Sequence, residues 1–398
     1  MSRTLHRART AVSVLFFLNG VLYANLVPRL PDLKAALGLD NAALGAGIAA
    51  MPLGALVGGL LVPPLIRRLG SATVASVGLV VPAVALAALS LSGGWAAFAA
   101  LMLAFGASDA AVDAGQNAHG FRVQRRYGRS LVNGFHGLWS VGAVAGGLLG
   151  SAAAGLGVPL TVHLGSCAVL FTLLALATRR SLLPGPEDAE REPAASGPDR
   201  RGPRRVAGRT VVLLGAAGAL AASAAFVEDA AASWSALFMR DVVGSGAATA
   251  GLAFVTLQVA MTVGRLTGDR VVDRLGQRLV GRLGGAAVAV GAGLALAVPT
   301  TATTLAGFAL AGLGVATLVP AALHAADELP GLPAGLGITV VSSALRLGFL
   351  ASPVLVGAVA DASSLRGALV TVPVAGLLTL LATGLLVPGR SRQPADRR

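Results

Sequence analysis

The chain has 398 residues, 55% of them hydrophobic and 12% charged, about half the charge of a water-soluble protein of this length. That composition excludes a soluble enzyme, and the net charge of +13 does not mark a nucleic-acid binder. The basic residues sit in short clusters between long apolar runs, where they set membrane orientation.

The N-terminus, MSRTLHRARTAVSVLFFLNG, has the basic start and apolar stretch of a signal peptide. It leads into further spans, so it reads as an uncleaved first helix. Apolar runs of roughly 20 residues, punctuated by Gly, Pro and Arg, predict six helices over 10–30, 41–66, 72–92, 95–118, 131–156 and 159–178. Six more are predicted over 209–231, 246–268, 279–298, 302–324, 334–359 and 366–388. The fold class is all-α, a polytopic membrane protein with 12 transmembrane helices in two pseudo-symmetric six-helix bundles.

Helix 4 contains SDAAVDAGQNAHG. Asp109, Asp113 and Asn117 recur at i, i+4 and i+8, with Gln116 at i+7, on one helical face. Helix 5 opens LVNGFHGLWSVG, with Asn133, His136 and Ser140 on one face and Trp139 beside them. The only cysteine, Cys167, lies in the apolar run of helix 6, so no disulfide framework or metal site is expected.

The segment SLLPGPEDAEREPAASGPDRRGPRR is too polar to bury an apolar face and reads as a flexible cytoplasmic linker. It divides the chain into a bundle over 1–178, a linker over 179–208 and a second bundle over 209–398 with a short cytoplasmic tail. Helix 7 ends FVEDAAASWSALFMRD, with Glu228 and Asp229 in its outer third and Trp234 near the outer boundary, where an aromatic belt or a ring-stacking role are both open. Helix 8 adds Gln258 near mid-depth.

Helix 11 contains TVVSSALRLGFLASPVLVG, placing Thr339, Ser342, Ser343 and Arg346 on one face. A charge at the centre of a membrane helix costs about 3 kcal/mol on insertion scales, so Arg346 needs compensation. Glu228, Asp229 and Asp109 are candidate ion-pair partners. Left unpaired, Arg346 attracts an anionic group of a solute; a third reading is that it holds helices together. Polar stripes on separate spans turn inward to a shared wet cavity or to each other.

With both termini cytoplasmic, 26 of the 31 basic residues fall on the cytoplasmic side, 4 on the other, and Arg346 within a span. The inequality fixes that orientation. A shift of 206 residues lays LGAGIAAMPLGALVGGLLVPPLIRRLG on AGLAFVTLQVAMTVGRLTGDRVVDRLG, with Gly45 on Gly251 and a shared Arg-Leu-Gly at the helix end. Two parallel six-helix repeats are the architecture of a rocking transporter.

Over nearly its whole length the sequence resembles the major facilitator superfamily. GDRVVDRLGQR between helices 8 and 9 is similar to its Asp-Arg-x-Gly loop motif, which implies a gating latch at Asp269, Arg270, Asp273 and Arg274. The first-half copy, PPLIRRLG, has Arg67 where the acid belongs. Asp113 and Asn117 resemble the acid-x-Gly-x-Asn pattern of the fucose-permease-like branch, and the Asn133/His136/Trp139/Gly142 run is similar to its bacterial inner-membrane members. The resemblance implies a protonatable Asp113, partnered by His136. Proton-coupled sugar members often have an acid in helix 1, where this chain has Asn19 and Asn25.

These readings converge on a proton-coupled secondary transporter of the bacterial inner membrane, moving a small polar organic solute, such as a sugar or sugar derivative, by alternating access. Its expected site residues are Asp109, Asp113, Asn117, Asn133, His136, Trp139, Glu228 and Arg346. Its partners are the solute and the lipid bilayer, with no nucleic acid; a monomer suffices. It uses no cofactor beyond a proton or other ion gradient. The alternatives are a proton-driven exporter of amphiphilic drugs and a transporter-like membrane sensor. An enzyme fits poorly, because Ser140 and His136 on one helix have no oxyanion donors.

Overall fold

The computed structural model describes residues 3–185, 208–327, 329, 332 and 336–385. Twelve helices among them are long and apolar enough to cross a membrane. The first six are α1 (Arg3–Leu37), α2 (Asn41–Leu69), α3 (Ser71–Leu89), α4 (Trp95–Tyr127), α5 (Val132–Gly155) and α6 (Leu160–Ser181). The last six are α7 (Gly208–Asp241), α8 (Ala247–Leu275), α9 (Gln277–Ala297), α10 (Thr301–Asp327), α11 (Leu336–Ala362) and α12 (Leu365–Gly384).

The 206-residue shift extends well past α2 and α8. Asn41, Ser71 and Trp95 open α2, α3 and α4, while Ala247, Gln277 and Thr301, each 206 residues on, open α8, α9 and α10. Gly70 and Gly276, the glycines of the shared Arg-Leu-Gly, have the same φ of 78° and ψ of 149°. Only glycine adopts that conformation cheaply, and each ends one helix and starts the next.

Several helices outrun the apolar run that predicts them. α4 continues to Tyr127, α7 to Asp241 and α8 to Leu275. Charged residues end a hydropathy run but do not end a helix, and arginines in a last turn complement its dipole. As a result Glu228 and Asp229 lie near the middle of α7 and not in its outer third. α1 passes a short 3-10 turn, Val27–Arg29, before finishing at Leu37. The start of the linker is also less free than its composition suggests: Leu182 and Leu183 are buried, and the Leu183 amide donates to His119 Nε2 at 3.0 Å. Residues 186–207 and 386–398 lie outside the described residues.

Helices pack through small residues, as they must where lipid gives no hydrophobic drive between helices. A β-carbon on Gly20 of α1 would collide with the Trp139 carbonyl of α5, and one on Gly142 with the Phe17 carbonyl. Backbone contact of this kind fixes α1 against α5, and Gly106 does the same for α4 against α2 through Met51.

The two sets of six helices touch mainly at the end away from the chain termini, here termed the far end. There Gly45 of α2 abuts the Pro353 carbonyl of α11, and Gly357 abuts the Asn41 carbonyl. On the other side Gly251 of α8 meets Ser151 and Pro28. Among the described residues, two polar clamps join the halves at this end. Arg240 Nη1 donates to Asp32 Oδ1 at 2.5 Å, and the Asp361 carboxylate accepts from the Asn41 amide (3.1 Å), Asn41 Nδ2 (2.8 Å) and the Ala42 amide (2.7 Å). Asp361 thus caps the N-terminus of a helix in the opposite half.

Towards the terminal end the same α11 face loses its neighbour. Pro353 and Gly357 contact α2, but Thr339, Ser343 and Arg346 on that face are exposed. The molecule is sealed at the far end and parted at the terminal end.

Candidate functional site

In the first half, two hydrogen-bonded strings run between helices near mid-depth. In one, Trp139 Nε1 of α5 donates to Asn19 Oδ1 of α1 at 2.8 Å, and Asn19 Nδ2 donates to Asp109 Oδ1 of α4 at 2.7 Å. An indole only donates and a carboxylate only accepts, so the orientation of the Asn19 amide between them is fixed. Asn19 is buried, with 7% exposure, and a buried amide with both ends satisfied holds its neighbours rigidly.

In the second string, Asn117 Nδ2 donates to Asp113 Oδ1 at 3.0 Å, leaving Asn117 Oδ1 to face His136 Nε2 at 3.1 Å. The same logic assigns the proton to Nε2 of His136. Phe16 of α1 meets the His136 ring edge-on at 5.2 Å between centroids. Asp113 and His136 are exposed; charged and polar groups at this depth face a wet gap and not lipid.

The other expected polar residues divide. Asn133 is exposed one turn from His136. Gln116 shares the helical arc of Asp109 but is buried and donates to the Leu15 carbonyl at 3.1 Å, so it packs α4 on α1. Ser140 turns back onto the His136 carbonyl of its own helix. Trp234 is fully buried against Gly45, so it is neither an interfacial belt residue nor a stacking platform in this state.

In the second half, Arg346 does not meet its expected partners. Glu228 pairs with Arg265 of α8 at 3.4 Å. Asp229 accepts from Ser233 Oγ at 3.4 Å and faces Ser352 of α11 and Tyr23 of α1, its second oxygen buried without a hydrogen-bond partner. Asp109 is held by Asn19. Arg346 is exposed and makes no ion pair among the described residues. Asp269, Arg270, Asp273 and Arg274 project, all exposed, from the end of α8 at the parted end.

Sequence reasoning missed Arg265, which lies inside the predicted span 246–268 yet counts there only among the cytoplasmic basic residues. It also missed Tyr23, Asp32, Arg240 and Asp361. Each of these is an ordinary polar residue near a predicted helix end or an aromatic in a span, and only its partner from another helix gives it a role.

The sequence profile of the Major Facilitator Superfamily matches residues 12–331 and again 219–398. The chain belongs to this superfamily. It is a multi-pass membrane transporter. An uncharacterised MFS-type transporter of Yersinia pestis is 31% identical over 351 residues, 88% of each chain. Among solved structures, the nucleoside transporter NupG superposes with a TM-score of 0.73 at 13% identity, covering 95% of this chain and 98% of its own. A bacterial homologue of the human lysosomal transporter Spinster, described as inward-facing and unoccupied, gives 0.72 at 15% identity over 97% and 98%. At such identities the structures support the transporter's fold alone.

Proposed function

We propose that this transporter is a proton-driven carrier of a small polar organic solute, a sugar or sugar derivative, working by alternating access in the bacterial cytoplasmic membrane. The observation that carries the reading is the pair of strings ending in Asp109 and Asp113, membrane-depth carboxylates whose hydrogen-bond partners are neutral amides. A carboxylate there is expensive unless it serves a solute or an ion. Carboxylate, amide and imidazole groups within two turns supply both acceptors and donors for hydroxyl groups. The basic-residue inequality supports cytoplasmic termini, and with that orientation the parted end opens inward. When that end closes, Asp269, Arg270, Asp273 and Arg274 would meet the opposite half as a latch.

The test is uptake of radiolabelled sugars by the full-length protein in proteoliposomes with an imposed pH gradient. Accumulation should collapse with a protonophore. Asp113→Asn should lose accumulation while retaining exchange between labelled and unlabelled solute. Accumulation that is indifferent to the pH gradient would overturn the coupling.

A further inference from the structure

We propose that the transported solute carries a carboxylate, and that Arg346 is its docking group. This deepens the preceding reading and rests on it: the solute is a hydroxylated organic acid and not a neutral sugar.

The face of α11 decides the matter. Thr339, Arg346, Pro353, Gly357 and Asp361 follow one another at helical spacing along one side. Pro353 and Gly357 lie against α2, and Asp361 caps it, so Arg346 points along the seam between the halves. In the parted state it is exposed. Alternating access requires the terminal end to close, and closure brings this lower face of α11 towards the lower part of α2.

That part of α2 has nothing to offer a guanidinium. Over the whole helix, NAALGAGIAAMPLGALVGGLLVPPLIRRL, there is no acidic residue, and it ends in Arg67 and Arg68. Of the four described acids at membrane depth, only Glu228 is paired with a cation, Arg265; Asp109 and Asp113 are held by the amides of Asn19 and Asn117, and Asp229 by Ser233, all on elements other than α2. Enclosing an arginine without a counter-charge is costly. A solute carboxylate removes that cost, and the guanidinium fork matches it with two parallel hydrogen bonds. The unloaded carrier then resists closure, whereas the loaded carrier closes.

The same 206-residue shift sharpens the polarity of the site. Ser140 is the counterpart of Arg346, and Val315 and Val319 are the counterparts of Asp109 and Asp113. At these positions each half therefore carries charge where its twin has none, Asp109 and Asp113 in the first and Arg346 in the second. The carboxylate end of a solute fits the α11 wall, and its hydroxyl groups fit Asp113, Asn117 and His136.

Binding to purified full-length protein tests this with D-gluconate and D-glucuronate as anions and D-glucose and D-mannitol as neutral probes, read by thermal shift and calorimetry. At least one anion should stabilise the wild type and the neutral probes should not. Arg346→Gln should weaken that anion by on the order of 30-fold or more with the melting temperature of the ligand-free protein kept, and Arg346→Lys should restore part of the affinity. The proposal is overturned if no anion binds, if neutral probes bind as well as anions, or if Arg346→Gln binds anions like wild type. Failure of the transport reading shows separately, as anion binding dependent on Arg346 with no uptake driven by a pH gradient.

Discussion

Loss of the far-end clamps should open the transporter on the side that is sealed here. Asp361→Ala removes a carboxylate that caps α2 from the other half through three hydrogen bonds. An N-cap is worth typically about 1 kcal/mol, and the exposure of Asp361 argues against the upper end of that range. Arg240→Ala removes an ion pair whose side chains are 35% and 28% exposed, worth about 0.5–1 kcal/mol. Asp32 is the wrong partner to remove, because it also holds the buried Arg29 at 2.7 Å. Together the two changes destabilise the far-end-sealed state by about 1.5–2 kcal/mol, a factor of roughly 10–30 in the equilibrium. A far-end-open population of about one in a hundred would become about one in six at a factor of 20. Spin labels at Leu91, in the α3–α4 connection, and at Ala302, in the first turn of α10, read the far-end change by pulsed dipolar spectroscopy in a Cys167→Ala background. The double variant should add a longer far-end distance and, for labels at Arg129 and the exposed Leu279 at the start of α9, a shorter terminal-end distance. Unchanged distributions would refute the idea that these contacts hold the state.

Asn19→Leu should lower the melting temperature by several degrees, because it strands the Trp139 indole N–H and the Asp109 carboxylate, each orphan costing about 1–3 kcal/mol; an unchanged melting curve would show that the string contributes nothing. Gly20→Ala should abolish well-folded expression, since its β-carbon meets the Trp139 carbonyl. Gly137→Ala, with nothing within 4 Å, should be neutral or stabilising by size-exclusion profile and melting point. Asp269→Asn combined with Asp273→Asn should leave the melting temperature of the far-end-sealed form unchanged, because both side chains are exposed. In the clamp-less background the same pair should shrink the terminal-end-closed population seen by spin labels.

The number of spans was legible because hydropathy reports burial in lipid directly. The ends were not, because the hydrogen bonding of α4 and α7 continues through polar residues into water. Periodicity placed Asp109, Asp113 and Asn117 on one arc of α4, yet it gave only an angle and not a neighbour. Gln116 lies on that arc and meets α1, while Asn117 meets α5. Which helix stands at which angle is decided by glycine contacts such as Gly20 and Gly142, which sequence periodicity does not order. For the same reason the partner of Glu228 was not foreseeable. Arg265 belongs to a neighbouring span, and nothing in either local sequence points to the other.

The internal repeat turns these contacts into an argument about the rocking motion. Under the 206-residue shift, Gly147, Ser151 and Gly155 of α5 correspond to Pro353, Gly357 and Asp361 of α11, while Gly45 and Ala42 of α2 correspond to Gly251 and Ala248 of α8. The α2–α11 seam and the α5–α8 seam are therefore two copies of one interface. Gly45 abuts Pro353 in the first and Gly251 abuts Ser151 in the second; Asp361 caps Ala42 in the first, where Gly155 merely touches Ala248 in the second. The close packing is shared, but the charge is not. A seam held by a carboxylate on a helix N-terminus has a definite bond to break in addition to its packing. Opening the far end must therefore break a definite polar contact at the α2–α11 seam. Arg346 lies on the same face of α11, towards the terminal end, where the seam is parted.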